Sequence, residues 1–157
     1  MLSTDDVVRE LYESDEVREA VEERWGTVEP GEIARRAFAT DEDREWLERL
    51  LWPRVGERML AWRQNLPANA RAAVVEVPLL FESGMEAAFD ATIAVVADED
   101  VRAARAGGRG HEALAERTAR QLSQPEKAAR STYVVENDGS EAELEARLSG
   151  ILDILER

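Results

Sequence analysis

The sequence is short of several residue types that carry common chemistry. Among its 157 residues there is no cysteine, and lysine and histidine occur once each, as Lys127 and His111. Without cysteine the chain can form neither a disulfide nor a thiolate metal site. It has no apolar run near the roughly 20 residues that a membrane-spanning helix needs, and its first residues lack the basic head and apolar stretch of a signal peptide. We therefore expect a single cytoplasmic domain over residues 1–157, with no membrane partner.

The charge balance excludes a further class of partner. The formal net charge is −14, and 34% of the residues are charged. A chain this acidic repels the phosphate backbone of nucleic acids at long range, so we expect no nucleic-acid partner. The basic residues are nearly all arginine, so a small anionic ligand could still bind where arginines gather locally.

The first half of the sequence has the apolar spacing of helices. We predict helices that begin near Thr4, run over Asp15–Trp25 and Pro30–Phe38, and continue in two further segments after Thr40. Pro53 should end or kink the first of these two segments, because proline cannot donate a backbone hydrogen bond.

The second half alternates short apolar runs with helical segments. Ala72–Val77, Ala91–Ala97 and Tyr133–Val135 are apolar on both faces, as is typical of strands buried in a parallel sheet. The spacing of capping boxes predicts two helix starts, at Ser123–Glu126 and at Ser140–Glu143. Strands that alternate with helices indicate an α/β layered domain.

One acid lies inside a predicted strand. Glu76 interrupts the apolar run before Pro78-Leu79-Leu80-Phe81, and a lone buried carboxylate is costly unless it is paired or binds a metal. Glu76 is therefore either usefully paired near the open end of its strand or an edge-strand residue that contacts water. Spacing alone favours the second interpretation.

Two other groups of residues could bind a ligand. Asn137–Ser140 follows a predicted strand; its residue types favour a simple turn, but ligands bind at the carboxyl ends of strands in α/β sheets. Five arginines could bind phosphate groups or form a solvated helix surface, and for any one of them the second interpretation is favoured. These arginines are Arg102, Arg105, Arg109, Arg117 and Arg120.

Taken in order, these segments resemble the dephospho-CoA kinase family. Glu76–Gly84 resembles the family's signature after its third strand, and the motifs of Arg120–Ser140 follow the family's order and spacing. Ser3–Asp5 resembles its Asp-x-Asp start, with Ser3 replacing the first Asp. Leu50–Pro53 resembles its Leu-x-His-Pro, with Trp52 replacing His. The likeness extends over essentially the whole chain.

The resemblance implies a three-layer α/β domain of the P-loop kinase fold, with a parallel sheet, a helical CoA-binding region and an arginine-bearing lid. It also implies a reaction, the last step of coenzyme A biosynthesis. In that step the γ-phosphoryl group of ATP, with Mg²⁺, is transferred to the ribose 3′-hydroxyl of dephospho-CoA.

The resemblance further implies roles for individual residues. Asp5 would orient or deprotonate the hydroxyl, and Arg105 and Arg109 would stabilise the transferring charge. Asn137 and Gly139 would line the adenine side, and no residue is assigned as a metal ligand. The residues implied to bind the substrate are Arg9, Leu51, Trp52, Pro53, Glu76, Leu79, Leu80 and Phe81.

One family element has no counterpart in the sequence. A P-loop has the pattern G-x-x-x-x-G-K-[ST], but the 157 residues contain no Gly-Lys dipeptide. We expect the family's first strand, P-loop, first helix and second strand to precede Met1, so that the fragment alone is inactive and poorly stable. A late start assignment is favoured over a gene fragment or a degenerate paralogue. The alternatives are a non-catalytic pseudokinase or CoA-binding module and, more weakly, another small-molecule kinase of this fold.

Overall fold

A computed structural model describes residues 1–106 and 121–156. The chain divides into two compact units, Met1–Pro78 and Leu79–Arg157. Each unit holds one pair of parallel strands together with its own helices.

The first unit is mostly helical. A short strand, β1 (Leu2–Ser3), leads into four helices, and a second strand, β2 (Val75–Glu76), follows them. The helices are α1 (Thr4–Leu11), α2 (Asp15–Trp25), α3 (Pro30–Ala37) and α4 (Asp41–Gln64). The first three lie where the apolar spacing predicts them.

Local backbone chemistry explains where these helices begin and end. Gly26 ends α2 in the left-handed conformation, with φ of 70°, which glycine adopts without strain. The Glu29 carboxylate accepts a hydrogen bond from a backbone N–H in the first turn of α3. The Thr40 hydroxyl accepts from the N–H of Asp43 and caps α4.

The prediction that Pro53 ends its helix is wrong, because α4 is 24 residues long and continues through the proline. Leu51 and Val55 are buried on either side of Pro53. Their packing compensates for the single backbone hydrogen bond that proline removes. Arg54 also donates through Nη1 to the carbonyl of Leu50, which adds a bond in the turn that contains the ring.

The core of the first unit joins all four helices. Its buried residues are Val7, Leu11, Val17, Val21, Ile33, Leu51 and Val55. Trp25 and Trp46 pack against this core in an edge-to-face contact, with ring centroids 5.0 Å apart. Both of these side chains pack against the core of the first unit, whereas Trp52 is exposed.

The two strands of the first unit are short. Leu2 lies opposite Val75 and Ser3 opposite Glu76, in parallel register. The strand predicted over Ala72–Val77 is therefore limited to two paired residues, because α1 begins at Thr4 and leaves β1 no third residue to pair.

The second unit alternates strands with helices. Its elements are a 3₁₀ helix (Met85–Ala88), β3 (Ile93–Val96), α5 (Glu99–Ala106), α6 (Gln124–Arg130), β4 (Tyr133–Glu136) and α7 (Glu141–Leu155). β3 and β4 pair in parallel, from Ile93 opposite Tyr133 to Val96 opposite Glu136. The α/β class with parallel strands is confirmed, and so are both predicted capping boxes, at the starts of α6 and α7.

Burial on both strand faces is only partly observed. Val95 and Val134 keep 52% and 48% of their surface exposed, because each strand has a single neighbour within the described ranges. Of the helices in those ranges, none combines the length and the apolarity that crossing a membrane requires.

Candidate active site

The carboxyl ends of β1 and β2 bring two of the predicted site residues to one edge. Ser3 lies opposite Glu76, and Asp5 follows in the first turn of α1. The Thr4 hydroxyl, in a residue only 8% exposed, donates to the Glu76 carbonyl at 3.1 Å. This bond fixes the start of the helix against the end of the strand, at the edge where α/β folds bind ligands.

Both acids at this edge are open to solvent. Asp5 and Glu76 are exposed residues, so neither carries the penalty of a lone buried carboxylate. Of the two interpretations of Glu76, the structure favours the solvent-exposed residue, and Glu76 is also the last residue of its strand.

Arg9 lies one turn after Asp5 on α1. Its Nη1 atom is 2.9 Å from Asp6 Oδ1, and the two side chains are 74% and 60% exposed. An ion pair this exposed contributes little to stability, so a ligand anion could replace Asp6 at small cost.

The α4 residues predicted to contact the substrate have different environments. Leu51 is 6% exposed and packs in the core. Trp52 and Pro53 instead line an open groove of about 410 Å³ on the outer face of α4. The other residues that line this groove are Glu45, Glu48 and Arg49.

In the second unit, the segment after Pro78 forms a turn that is closed by a hydrogen bond between its own backbone atoms. The Ser83 N–H donates to the carbonyl of Leu79 at 3.0 Å. Leu79 is 45% exposed and Leu80 is half-buried, whereas Phe81 is 7% exposed. The guanidinium of Arg130 lies 4.8 Å from the centroid of the Phe81 ring, within cation–π range.

The next residue, Glu82, makes an interaction that the sequence analysis missed. Its Oε1 accepts from the Leu122 N–H at 2.9 Å and lies 3.0 Å from Lys127 Nζ. Burial acts to raise the pKa of Glu82, but the hydrogen bonds from Leu122 and Lys127 outweigh it, so this pKa lies below the usual carboxyl range. The sequence contained one signal for this ion pair: Glu82 directly follows an aromatic residue, Phe81, in a chain whose only lysine is Lys127.

Three predicted site residues meet after β4. Arg105 on α5 donates through Nη1 to the Asn137 carbonyl at 2.6 Å and through Nη2 to the Gly139 carbonyl at 3.2 Å. Asp138 Oδ1 accepts from the N–H of Asp98 at 2.6 Å. The loop predicted to line adenine is therefore attached to the start and the end of α5.

Gly139 also has a local structural role. A Cβ atom at this position would lie 2.2 Å from Glu143 Oε2. That carboxylate accepts from the Ser140 N–H at 2.7 Å in the capping box of α7. A side chain at Gly139 would therefore displace the Glu143 carboxylate from this capping box.

Arg109, the remaining predicted catalytic residue, lies outside the described residues, as do Arg117, Arg120 and His111. Among the residues that are described, no group of three or more His, Asp or Glu side chains is arranged to hold a metal ion. A nucleotide-bound Mg²⁺ needs only one or two carboxylates besides phosphate oxygens, and the donor chemistry of Asp5 and Glu76 fits that requirement. The 157 residues do not provide the glycine-rich loop with a lysine that holds the ATP phosphates in a nucleotide kinase. No Gly-Lys dipeptide occurs in the sequence, and its single lysine, Lys127, pairs with Glu82.

Comparison with known proteins identifies the family. The family model described as dephospho-CoA kinase matches residues 6–143. The chain belongs to the dephospho-CoA kinase family. The matched range includes every predicted site residue except Asp5, which lies one residue before it.

Individual members of the dephospho-CoA kinase family are similar over most of the chain. A dephospho-CoA kinase from Deinococcus radiodurans is 38% identical over 135 residues, which cover 83% of this chain and 65% of that protein. A dephospho-CoA kinase from Geobacillus kaustophilus is 30% identical, with 84% and 69% covered. A crystal structure of a Thermus thermophilus protein superposes with a TM-score of 0.78 at 32% identity, over 98% of this chain and 83% of that one. The chain thus spans just under two thirds of the length of its Deinococcus relative.

Proposed function

We propose that this chain carries the acceptor-substrate part of a dephospho-CoA kinase, an enzyme that transfers the γ-phosphoryl group of ATP to the ribose 3′-hydroxyl of dephospho-CoA. Membership of the family supports the reaction. The observation that carries the proposal is the edge formed by β1 and β2, where Thr4 bonds to the end of β2 and the Asp5 and Glu76 carboxylates are exposed.

In this proposal Asp5 accepts or orients the proton of the 3′-hydroxyl. Asp5 lies in the first turn of α1, and its carboxylate is exposed beside the end of β2. Glu76 would help to hold Mg²⁺, whose charge neutralises the phosphates, and Arg9 would bind a substrate anion in place of Asp6. The exposed Trp52 and Leu79 would offer apolar surface to the CoA moiety.

On the nucleotide side, Asn137 and Gly139 would line adenine. Arg105 supports this part of the proposal because it holds the carbonyls of both residues. In that arrangement Arg105 would act on the transferring phosphate only after it exchanges those carbonyls for phosphate oxygens, and Arg109 would act with it.

We further propose that these 157 residues alone do not transfer phosphate. Phosphoryl transfer depends on positioning and charge neutralisation at the β- and γ-phosphates. The only lysine of the sequence is already paired with Glu82. This observation also favours the second candidate function, a module that binds dephospho-CoA without catalysis.

The test compares two acids on the same helix turn. A segment that contains the P-loop pattern G-x-x-x-x-G-K-[ST] is fused ahead of Met1, and transfer from γ-labelled ATP to dephospho-CoA is measured. We expect Asp5→Asn to lower kcat by about 10²- to 10⁴-fold, the usual worth of a general base. The matched control Asp6→Asn, which loses only an exposed ion pair, should stay within about twofold.

Three results separate the candidates. Full activity of the Asp5→Asn fusion would contradict the role of Asp5. A fusion that binds dephospho-CoA in calorimetry but never phosphorylates it would favour the non-catalytic module. A fusion that neither binds nor phosphorylates dephospho-CoA would refute both functions.

A further inference from the structure

A group of charged residues in the second unit links the turn after Pro78 to α6. Glu82 lies in this turn and Glu86 in the 3₁₀ helix that follows it, and Lys127 and Arg130 lie one turn apart on α6. The Lys127 Nζ to Glu82 Oε1 distance is 3.0 Å, and the Arg130 Nη2 to Glu86 Oε1 distance is 2.5 Å. We name these four residues the α6 clamp.

The first pair of the clamp is shielded from water. The side chains of Glu82 and Lys127 are 16% and 24% exposed, unlike the open pair between Asp6 and Arg9. Glu82 Oε2 is buried and accepts no hydrogen bond within the described ranges, so the hydrogen bonds of this carboxylate there are made through Oε1. An ion pair at this depth interacts more strongly than an exposed one, and its loss leaves an uncompensated charge.

The second pair is connected to the same turn through an aromatic ring. Arg130 contacts Glu86 and also covers the ring of Phe81. Phe81 is thus contacted by Arg130 of α6, and Glu82 by Lys127 of α6 and by Leu122, two residues before this helix. Leu79 stays exposed and Leu80 half-buried. One side of the turn is anchored while the other side remains open to a ligand.

We propose that the α6 clamp positions Leu79 and Leu80 for dephospho-CoA, so that Lys127 and Arg130 are positioning residues that set substrate affinity without touching the substrate. The inference rests on the proposed function, since it assumes that this turn contacts dephospho-CoA. Its physical basis is that a turn already fixed in its binding conformation loses less conformational entropy when the ligand binds.

The experiment measures the Kd of dephospho-CoA for the 157-residue chain by calorimetry, together with the melting temperature. Lys127→Met should raise Kd by about tenfold, because the released turn must then be ordered when the ligand binds. Lys127→Arg keeps the charge and should restore Kd to within about threefold of the parent. Arg147→Met removes an exposed ion pair of the same unit and should leave Kd unchanged.

A purely structural role is distinguished by a core truncation. Ile151→Ala removes buried volume from α7, with Ile151 only 8% exposed, and should lower the melting temperature with no change in Kd. If Lys127→Met behaves in the same way, with a lower melting temperature and the Kd of the parent, the inference is overturned.

Two further outcomes are informative. If Lys127→Met does not fold, Arg130→Lys takes its place: it keeps a charge for Glu86 but loses the planar contact with Phe81. A raised Kd in that variant supports the inference and a parental Kd overturns it. Failure of the parent chain itself to bind dephospho-CoA would instead contradict the proposed substrate.

Discussion

The hydrogen bond from Thr4 to the Glu76 carbonyl gives a prediction that separates stability from function. Thr4→Val keeps the shape of the buried side chain and removes the hydroxyl that donates to the Glu76 carbonyl. An average hydrogen bond contributes about 1 kcal/mol to the free energy of unfolding, so we expect a loss of about 1 kcal/mol. Thr4→Ser keeps the hydroxyl and removes one methyl group from a site that is 8% exposed, which costs about 0.8 kcal/mol.

The two variants should therefore be nearly equal in stability. Urea unfolding followed by tryptophan fluorescence measures this, because all four tryptophans lie in the first unit, Met1–Pro78. The two Thr4 variants should differ in activity, which is measured as kcat/KM for dephospho-CoA in the P-loop fusion. Thr4→Ser keeps Asp5 fixed relative to Glu76 and should retain activity to within about threefold. Thr4→Val releases the start of α1 and should lose about tenfold or more.

The opposite pattern would refute this reasoning. Equal activities in the two variants would show that the bond does not position the acids. A Thr4→Val chain as stable as the parent would show that the bond contributes nothing to the fold.

Two other predictions concern the second unit. Gly139→Ala should lower the melting temperature in the parent, because its Cβ displaces the Glu143 carboxylate, but not in a Glu143→Ala background; an equal decrease in both backgrounds would contradict this account. The pKa of Glu82 is lowered in the folded chain, so Glu82 adds stability above the usual carboxyl pKa and loses it as pH falls through the lowered value. The parent should therefore exceed Glu82→Gln in urea stability at pH 7 and lose that advantage in acid, whereas a difference independent of pH would argue against the ion pair.

Much of the local structure could be predicted from the sequence, because it depends on neighbouring residues. The bounds of α2 follow from apolar spacing and a terminal glycine, and both capping boxes follow from pairs of residues three positions apart. The continuous course of α4 through Pro53 could not be predicted, since it depends on the burial of Leu51 and Val55.

In the candidate site, too, some features could be predicted from the sequence and others could not. The motifs around Asp5, Glu76 and Gly139 could be found in the sequence, because they are short and ordered. Their contacts could not, because each joins residues far apart in the chain: Thr4 bonds to Glu76, and Glu82 pairs with Lys127.

The most direct test of the central claim is the acceptor preference of the P-loop fusion. Mass spectrometry would identify the product when ATP is offered with dephospho-CoA, AMP or adenosine as the acceptor. We predict that dephospho-CoA is converted to CoA and that the other two acceptors remain unmodified. Phosphorylation of AMP or adenosine in preference to dephospho-CoA would contradict the proposed function.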